Sequence, residues 1–192
     1  DAKDSFTMGR SRRVTFFAVK IAKVLNLDKD TINKIELAAM LHDIGMIGVS
    51  DNIIYKIDKL DENDWTEIKN HVKHGVRILE DIKQLKDVVE IIKYHHEFYN
   101  GAGYPSGLQG ESIPLGSRII AIADAYDAMV SSRAYRAPKS PEEAIDVIHK
   151  MSGIQFDPKM VEAFDSIIDG ARAELKAYED SCKAKAQQAP QQ

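Results

Sequence analysis

The stretch KIELAAMLHDIG, residues 34–45, decides how this chain is read. Asp30 precedes it as a helix-starting residue, its apolar run leads directly into His42 and Asp43, and Gly45 then loosens the backbone. A His-Asp pair therefore sits near a helix end. Working outward, Val14, Phe17, Ala18, Ile21, Ala22 and Leu25 recur at three- and four-residue spacing, which predicts an amphipathic helix over residues 11–27. On the other side, Asp61 caps ENDWTEIKNHVKHGVRILEDI, with Trp65, Ile68, Val72, Val76 and Leu79 on its apolar face and His71 beside them. A further helix, LKDVVEIIKYHH, delivers His95 and His96. Residues 100–116 hold five Gly and two Pro, so they form a long ordered loop or lid instead of a regular helix. SRIIAIADAYDAMVSS is apolar on nearly all sides and reads as the central buried helix, with Asp124 and Asp127 as its polar exceptions. Ser140-Pro141-Glu142-Glu143 matches a capping box, and Asp157-Pro158 opens a last helix in a similar way. No strand alternation and no internal repeat are present, and the fold class is all-α.

Composition bounds the rest. A chain of 192 residues, 44% hydrophobic and 29% charged, has apolar material for one core, which we assign to residues 1–176. Residues 177–192 offer little to bury and are expected to fray or be disordered. The net charge of -4 gives no long-range attraction for a nucleic-acid polymer or an anionic membrane. No run approaches the roughly 20 apolar residues a membrane helix needs, and the start lacks the order of a signal peptide. The single Cys182 fits a reducing compartment, so the reading is cytoplasmic. The start without Met suggests a piece of a longer chain.

Five of the six His residues, His42, His71, His74, His95 and His96, fall on or beside helical segments in the middle of the chain. A single His-Asp pair is ordinarily a helix-end hydrogen bond, but the clustering calls for more. Imidazole nitrogen with carboxylate oxygen is the donor set that suits zinc, iron or manganese, and two adjacent metals need a bridging carboxylate, a role for which Asp43 is placed. Adjacent His95 and His96 point about 100° apart on a helix, so their joint use needs a helix end.

LHDIGMIGV at residues 41–49 and HHEFYNGAGYP at residues 95–105, with His71 between them, resemble the signatures of the HD-GYP family, a branch of the HD phosphohydrolases. The resemblance runs over residues 4–168 and takes in PLGSRIIAIADAYDAMVSSRAYR. It implies a compact helical bundle that holds two or three metal ions, often iron or manganese, and hydrolyses cyclic di-GMP to linear pGpG or on to GMP. Carried over, one metal falls to His71, His95, His96 and Asp43, and the other to His42, Asp124 and the shared catalytic Asp43. Two divalent cations acidify water and neutralise the phosphate, so attack at phosphorus needs no dedicated side-chain base. Arg133 and Arg136 are placed to hold phosphate oxygens, against the alternative of solvated charge at a helix end. Gly101 and Gly103 let the backbone approach a ligand, and Tyr104 stacks on a base or bonds to phosphate, against the alternative of plain turn residues. Asp127 either orients a ligand or pairs with a basic residue. His74 has no counterpart in the family, and both it and His149 read as surface residues.

Four positions depart from the family pattern. Arg10, in GRSRRV, stands where the family has a metal-binding His, and a guanidinium has no lone pair to offer. The second metal should therefore bind more weakly, while Arg10 takes over some phosphate stabilisation. Phe6 replaces the Glu of three-metal members, Met46 replaces the Lys of the HDxGK run, and Asn100 replaces an Asp. Two readings follow: a working phosphodiesterase with two divalent ions, the second weakly held, or a degenerate module that binds cyclic dinucleotide or a signalling partner without turnover. The implied partners are a cyclic dinucleotide, a receiver or sensory domain and diguanylate cyclase domains.

Overall fold

The computed structural model describes residues 9–56, 58–131 and 137–187. Its helices are α1 (Arg10–Val24), α2 (Lys29–Leu41), α3 (Asp51–Ile54), α4 (Glu62–Lys69), α5 (His71–Leu79), α6 (Lys86–Lys93), α7 (Leu115–Val130), α8 (Pro141–Lys150) and α9 (Pro158–Gln187). Among the described residues no strand forms, and one isolated bridge joins Ser152 to Phe156. Helix α7 lies at the centre, packed by α1, α8 and α9, and α1 also packs on α2. Its buried Ile119, Ile120, Ile122, Ala123 and Tyr126 meet the Val14, Phe17, Ala18 and Ile21 stripe of α1 and Phe164 of α9. Ser117 Oγ donates to Ile91 O at 2.7 Å, tying α7 to α6.

Four local expectations change. The cap of α2 is Asp28, whose side chain accepts from Thr31 N at 3.0 Å, while Asp30 lies inside the first turn, where its charge meets the helix dipole. The segment after Asp61 is two helices, not one, because the chain breaks at Asn70. The phase that buries Val72 and Leu79 in α5 therefore does not extend back to Trp65, which is 52% exposed. Helix α6 stops at Lys93, so His95 and His96 stand in the turn beyond it. Beyond Ala177 the backbone stays helical to Gln187, since Lys, Ala, Glu and Gln are good helix formers that need no buried face. The Ser140–Glu143 capping box forms as expected.

The Gly/Pro-rich loop is anchored at its start by backbone pairing and towards its end by a buried side chain. Tyr99 N and Asn100 N donate to Gln155 O and Ile154 O at 3.1 and 3.0 Å, and Ile113 plugs into the core. Among the described residues no helix is long and apolar enough to cross a membrane.

Candidate metal centre

One local device is used three times. The last carbonyls of a helix lack intrahelical donors, and in three helices a histidine just past the end supplies one. His42 Nδ1 donates to Ala39 O of α2 at 2.7 Å, His71 Nδ1 to Ile68 O of α4 at 2.6 Å, and His95 Nδ1 to Ile92 O of α6 at 2.6 Å. The carbonyl bond uses the Nδ1 proton, so a neutral ring held this way carries its lone pair on Nε2, facing inward. All three Nε2 atoms are buried with no hydrogen-bonding partner among the described residues. Buried polar atoms are normally paired, so the unpartnered Nε2 atoms of His71 and His95, which fall in one group with Asp43 and His96, mark a candidate cation site.

The six side chains expected to ligate converge in two groups, Asp43 with His71, His95 and His96, and Asp43 with His42 and Asp124. Within each group the donor atoms lie within 4.8 Å of one another. Asp43 is the seam: its Oδ1 lies 3.5 Å from His71 Nε2 and its Oδ2 3.1 Å from His42 Nε2. Gly45 makes that seam possible, because a Cβ there would stand 1.9 Å from His71 O and 2.4 Å from Gly75 N.

The two groups differ in charge. In the first, burial pushes His95 and His96 down, His96 to about 4, and the neighbouring histidines add to the effect. These rings stay neutral donors. In the second, burial works against a charge on His42, but Asp43 and Asp124 outweigh it and raise His42 to about 10. Burial alone would raise Asp43 and Asp124, yet the adjacent His42 and Arg10 hold both below the usual carboxylate range. The arginine is an integral part of this second group. Arg10 Nη2 meets Asp124 Oδ1 at 2.5 Å and Arg10 Nε lies 3.4 Å from Asp43 Oδ2. A divalent cation fits the first group as it stands; in the second, the carboxylates already face a guanidinium.

Around the groups, Tyr104 stacks on His96 with ring centroids 4.8 Å apart, and Lys69 Nζ lies 5.3 Å from the Tyr104 ring centre. Burial, then Asp43 and Asp124, raise the Tyr104 phenol, so it remains an O–H donor. Gly103 permits this placement, since a Cβ on it would come within 2.2 Å of Phe98 N and 2.5 Å of His96 O. Asp127 pairs with a basic residue: Arg13 Nε and Nη2 reach its two oxygens at 2.6 and 3.2 Å. Asn100 Oδ1 accepts from Ala102 N at 3.0 Å, keeping the turn chemistry of the Asp it replaces. Met46 is half-buried in the turn after Asp43 and brings no charge. Arg133, Arg136 and Phe6 lie outside the described residues.

His149 sits at the surface, 2.9 Å from Asp165. His74 does not: it is half-buried, its Nδ1 wedged against Gly48, where a Cβ would lie only 2.1 Å away. The close approach of α5 to the glycine-bearing turn covers that ring. Sequence reasoning also missed Glu97, a buried carboxylate whose Oε1 accepts from Ser106 N at 2.7 Å and clamps the loop. Its position next to the His95-His96 pair was the available signal.

The profile of the HD domain family matches residues 1–160. A cyclic di-GMP phosphodiesterase of Thermotoga maritima is 39% identical over 164 residues, which are 84% of this chain and 45% of that protein. The 3'3'-cGAMP-specific phosphodiesterase 2 of Vibrio cholerae is 35% identical over 164 residues, 84% of this chain and 31% of its own length. The chain thus spans less than half the length of both curated relatives. In three dimensions, Bd1817, an HDG"Y"P protein from Bdellovibrio bacteriovorus, superposes with a TM-score of 0.67 at 22% identity, covering 83% of this chain and 51% of that one. The chain belongs to the HD domain family. Within it, its relatives are cyclic-dinucleotide phosphodiesterases of the HD-GYP type.

Proposed function

We propose that the chain is a metal-dependent phosphodiesterase that hydrolyses cyclic di-GMP, or a related cyclic dinucleotide, to linear pGpG or GMP. The observation that carries this reading is the convergence of inward-facing, unpartnered imidazole nitrogens on Asp43. His71, His95, His96 and Asp43 would hold a divalent ion, iron or manganese by the softness of the set. A cation held there supplies Lewis-acid charge against the phosphate and makes water acidic enough to be a nucleophile at neutral pH. The chain's own residues do the rest. Asp43 joins the two groups, Tyr104 offers a stacking face and an O–H beside His96, and the Glu97 clamp keeps Gly103 and Tyr104 over the site. Arg133 and Arg136 are the proposed phosphate contacts. The names of the relatives support a cyclic dinucleotide as substrate, and the polar, reducing-compartment composition supports a cytoplasmic setting. A receiver, sensory or diguanylate cyclase domain is the proposed partner.

Anaerobically prepared protein, assayed for metal content and then for turnover of cyclic di-GMP and 3'3'-cGAMP, tests the proposal. Met46→Lys should raise the rate by roughly a hundredfold with metal content unchanged, the typical effect of one preorganised donor at a developing charge. The second reading, a binding module without turnover, draws on Arg10 and Met46 standing where the family keeps a ligand and a cation. It takes over if loaded wild type and Met46→Lys both bind a cyclic dinucleotide by calorimetry and hydrolyse neither.

A further inference from the structure

Helices α1 and α7 are joined by two parallel rungs. Arg10 meets Asp124, and one turn further along both helices Arg13 grips Asp127 through two nitrogens. The second rung fixes the register of the first, so Arg10 enters the site from a braced position, with only 12% of its side chain exposed. Its guanidinium touches Asp124 Oδ1 and lies 3.4 Å from Asp43 Oδ2, and His42 Nε2 faces these same two oxygens at 3.3 and 3.1 Å. The space a second ion would share with His42, Asp43 and Asp124 is therefore already served by a positive charge belonging to the chain.

We propose that Arg10 is a built-in replacement for the second metal ion: the protein binds one divalent cation, in the Asp43, His71, His95 and His96 group, and the guanidinium permanently neutralises the other carboxylates. This rests on the metal-dependent reading above and fixes its stoichiometry. An arriving second ion would have to displace a buried guanidinium from two carboxylates, and separating one partner of such a pair costs enough to weaken that ion roughly a hundred- to thousandfold relative to the first. Unlike a metal, this charge cannot be removed by a chelator and does not depend on metal supply.

The test uses the full chain, stripped by chelation and titrated with Mn(II), with bound metal counted by equilibrium dialysis and the spin state read by electron paramagnetic resonance. Wild type should saturate at one Mn(II) per chain with a mononuclear spectrum. Arg10→His should take up a second Mn(II) and show a spin-coupled pair. Arg10→Gln, which frees the carboxylates without adding a ligand, should bind the second ion more weakly than Arg10→His and more tightly than wild type. Circular dichroism checks that each variant is folded; if Arg10→His is not, Arg10→Gln and the wild-type count decide. Two Mn(II) in wild type, with affinities within tenfold and a coupled spectrum, overturn the replacement but leave the metal-dependent reading standing. A folded Arg10→His or Arg10→Gln that stays at one ion also overturns the replacement alone. No Mn(II) in wild type or in either variant overturns the metal-dependent reading and the replacement with it.

Discussion

The two donor groups that meet at Asp43 are built from the same residue types, yet they behave as opposites. In the group of His71, His95 and His96, burial and the crowding of neighbouring rings keep protons off His95 and His96. In the group of His42 and Asp124, carboxylates dominate, and His42 and Arg10 answer them with positive charge. All three clamped histidines make the same Nδ1 bond to a helix-end carbonyl, so local geometry does not cause the difference. The count of carboxylates around each ring does. A donor set remains open to a metal when its own cations do not already balance it.

The strongest way to break this comparison is to remove the seam. Asp43→Ala takes a ligand from both groups, and we expect bound Mn(II) and cyclic-dinucleotide hydrolysis both to fall below detection. Asp124→Ala should leave the Mn(II) of the three-histidine group in place. If Asp43→Ala keeps full metal content, the two groups do not share a ligand and the contrast drawn between them fails.

A smaller effect is expected from Gly45→Ala, because the added Cβ forces the turn carrying Asp43 away from the backbone of α5. Overpacking of this kind costs about 1–3 kcal/mol, to be read from the denaturant midpoint, and it should weaken Mn(II) binding by separating Asp43 from His71. An unchanged midpoint and affinity would mean that the turn yields freely and that the seam is not held by this contact.

The finest probe is the pH dependence of stability in chelator-treated protein. Folded His96 titrates near 4, below the ordinary 6.5, so as pH falls through that window the unfolded chain takes up protons that the folded one does not. Stability should fall there by on the order of 1–3 kcal/mol, and His96→Gln should flatten the slope. His42 has the opposite sign: its contribution is complete below about 6.5 and is lost as pH rises towards about 10. His42→Gln should flatten only that alkaline flank. Equal effects of both variants on both flanks would show that the two groups do not titrate separately.

What was legible in the sequence was what is contiguous or periodic. The α1 stripe, the buried character of α7 and the Ser140 cap are local patterns that the structure bears out, and the HD and HH pairs could be read because each is contiguous. The break at Asn70 was not legible, because the apolar spacing of α5 runs on smoothly into α4. Arg10 could be seen as a missing ligand, but not as the partner of Asp124, which lies 114 residues away and becomes a neighbour only once α1 packs on α7. The same holds for Glu97, whose polar neighbour is a backbone amide, a partner that every residue except proline offers.

The bonds from His42, His71 and His95 to main-chain carbonyls have a consequence for how this site ages. Ala39, Ile68 and Ile92 can each be exchanged for other residues without removing the oxygen that sets the imidazole tautomer. The setting is thus written in the helix ends and not in any side chain, where a point mutation would reach it. Side chains such as Arg10 and Met46 can therefore be exchanged without removing the carbonyl bonds that orient His42, His71 and His95.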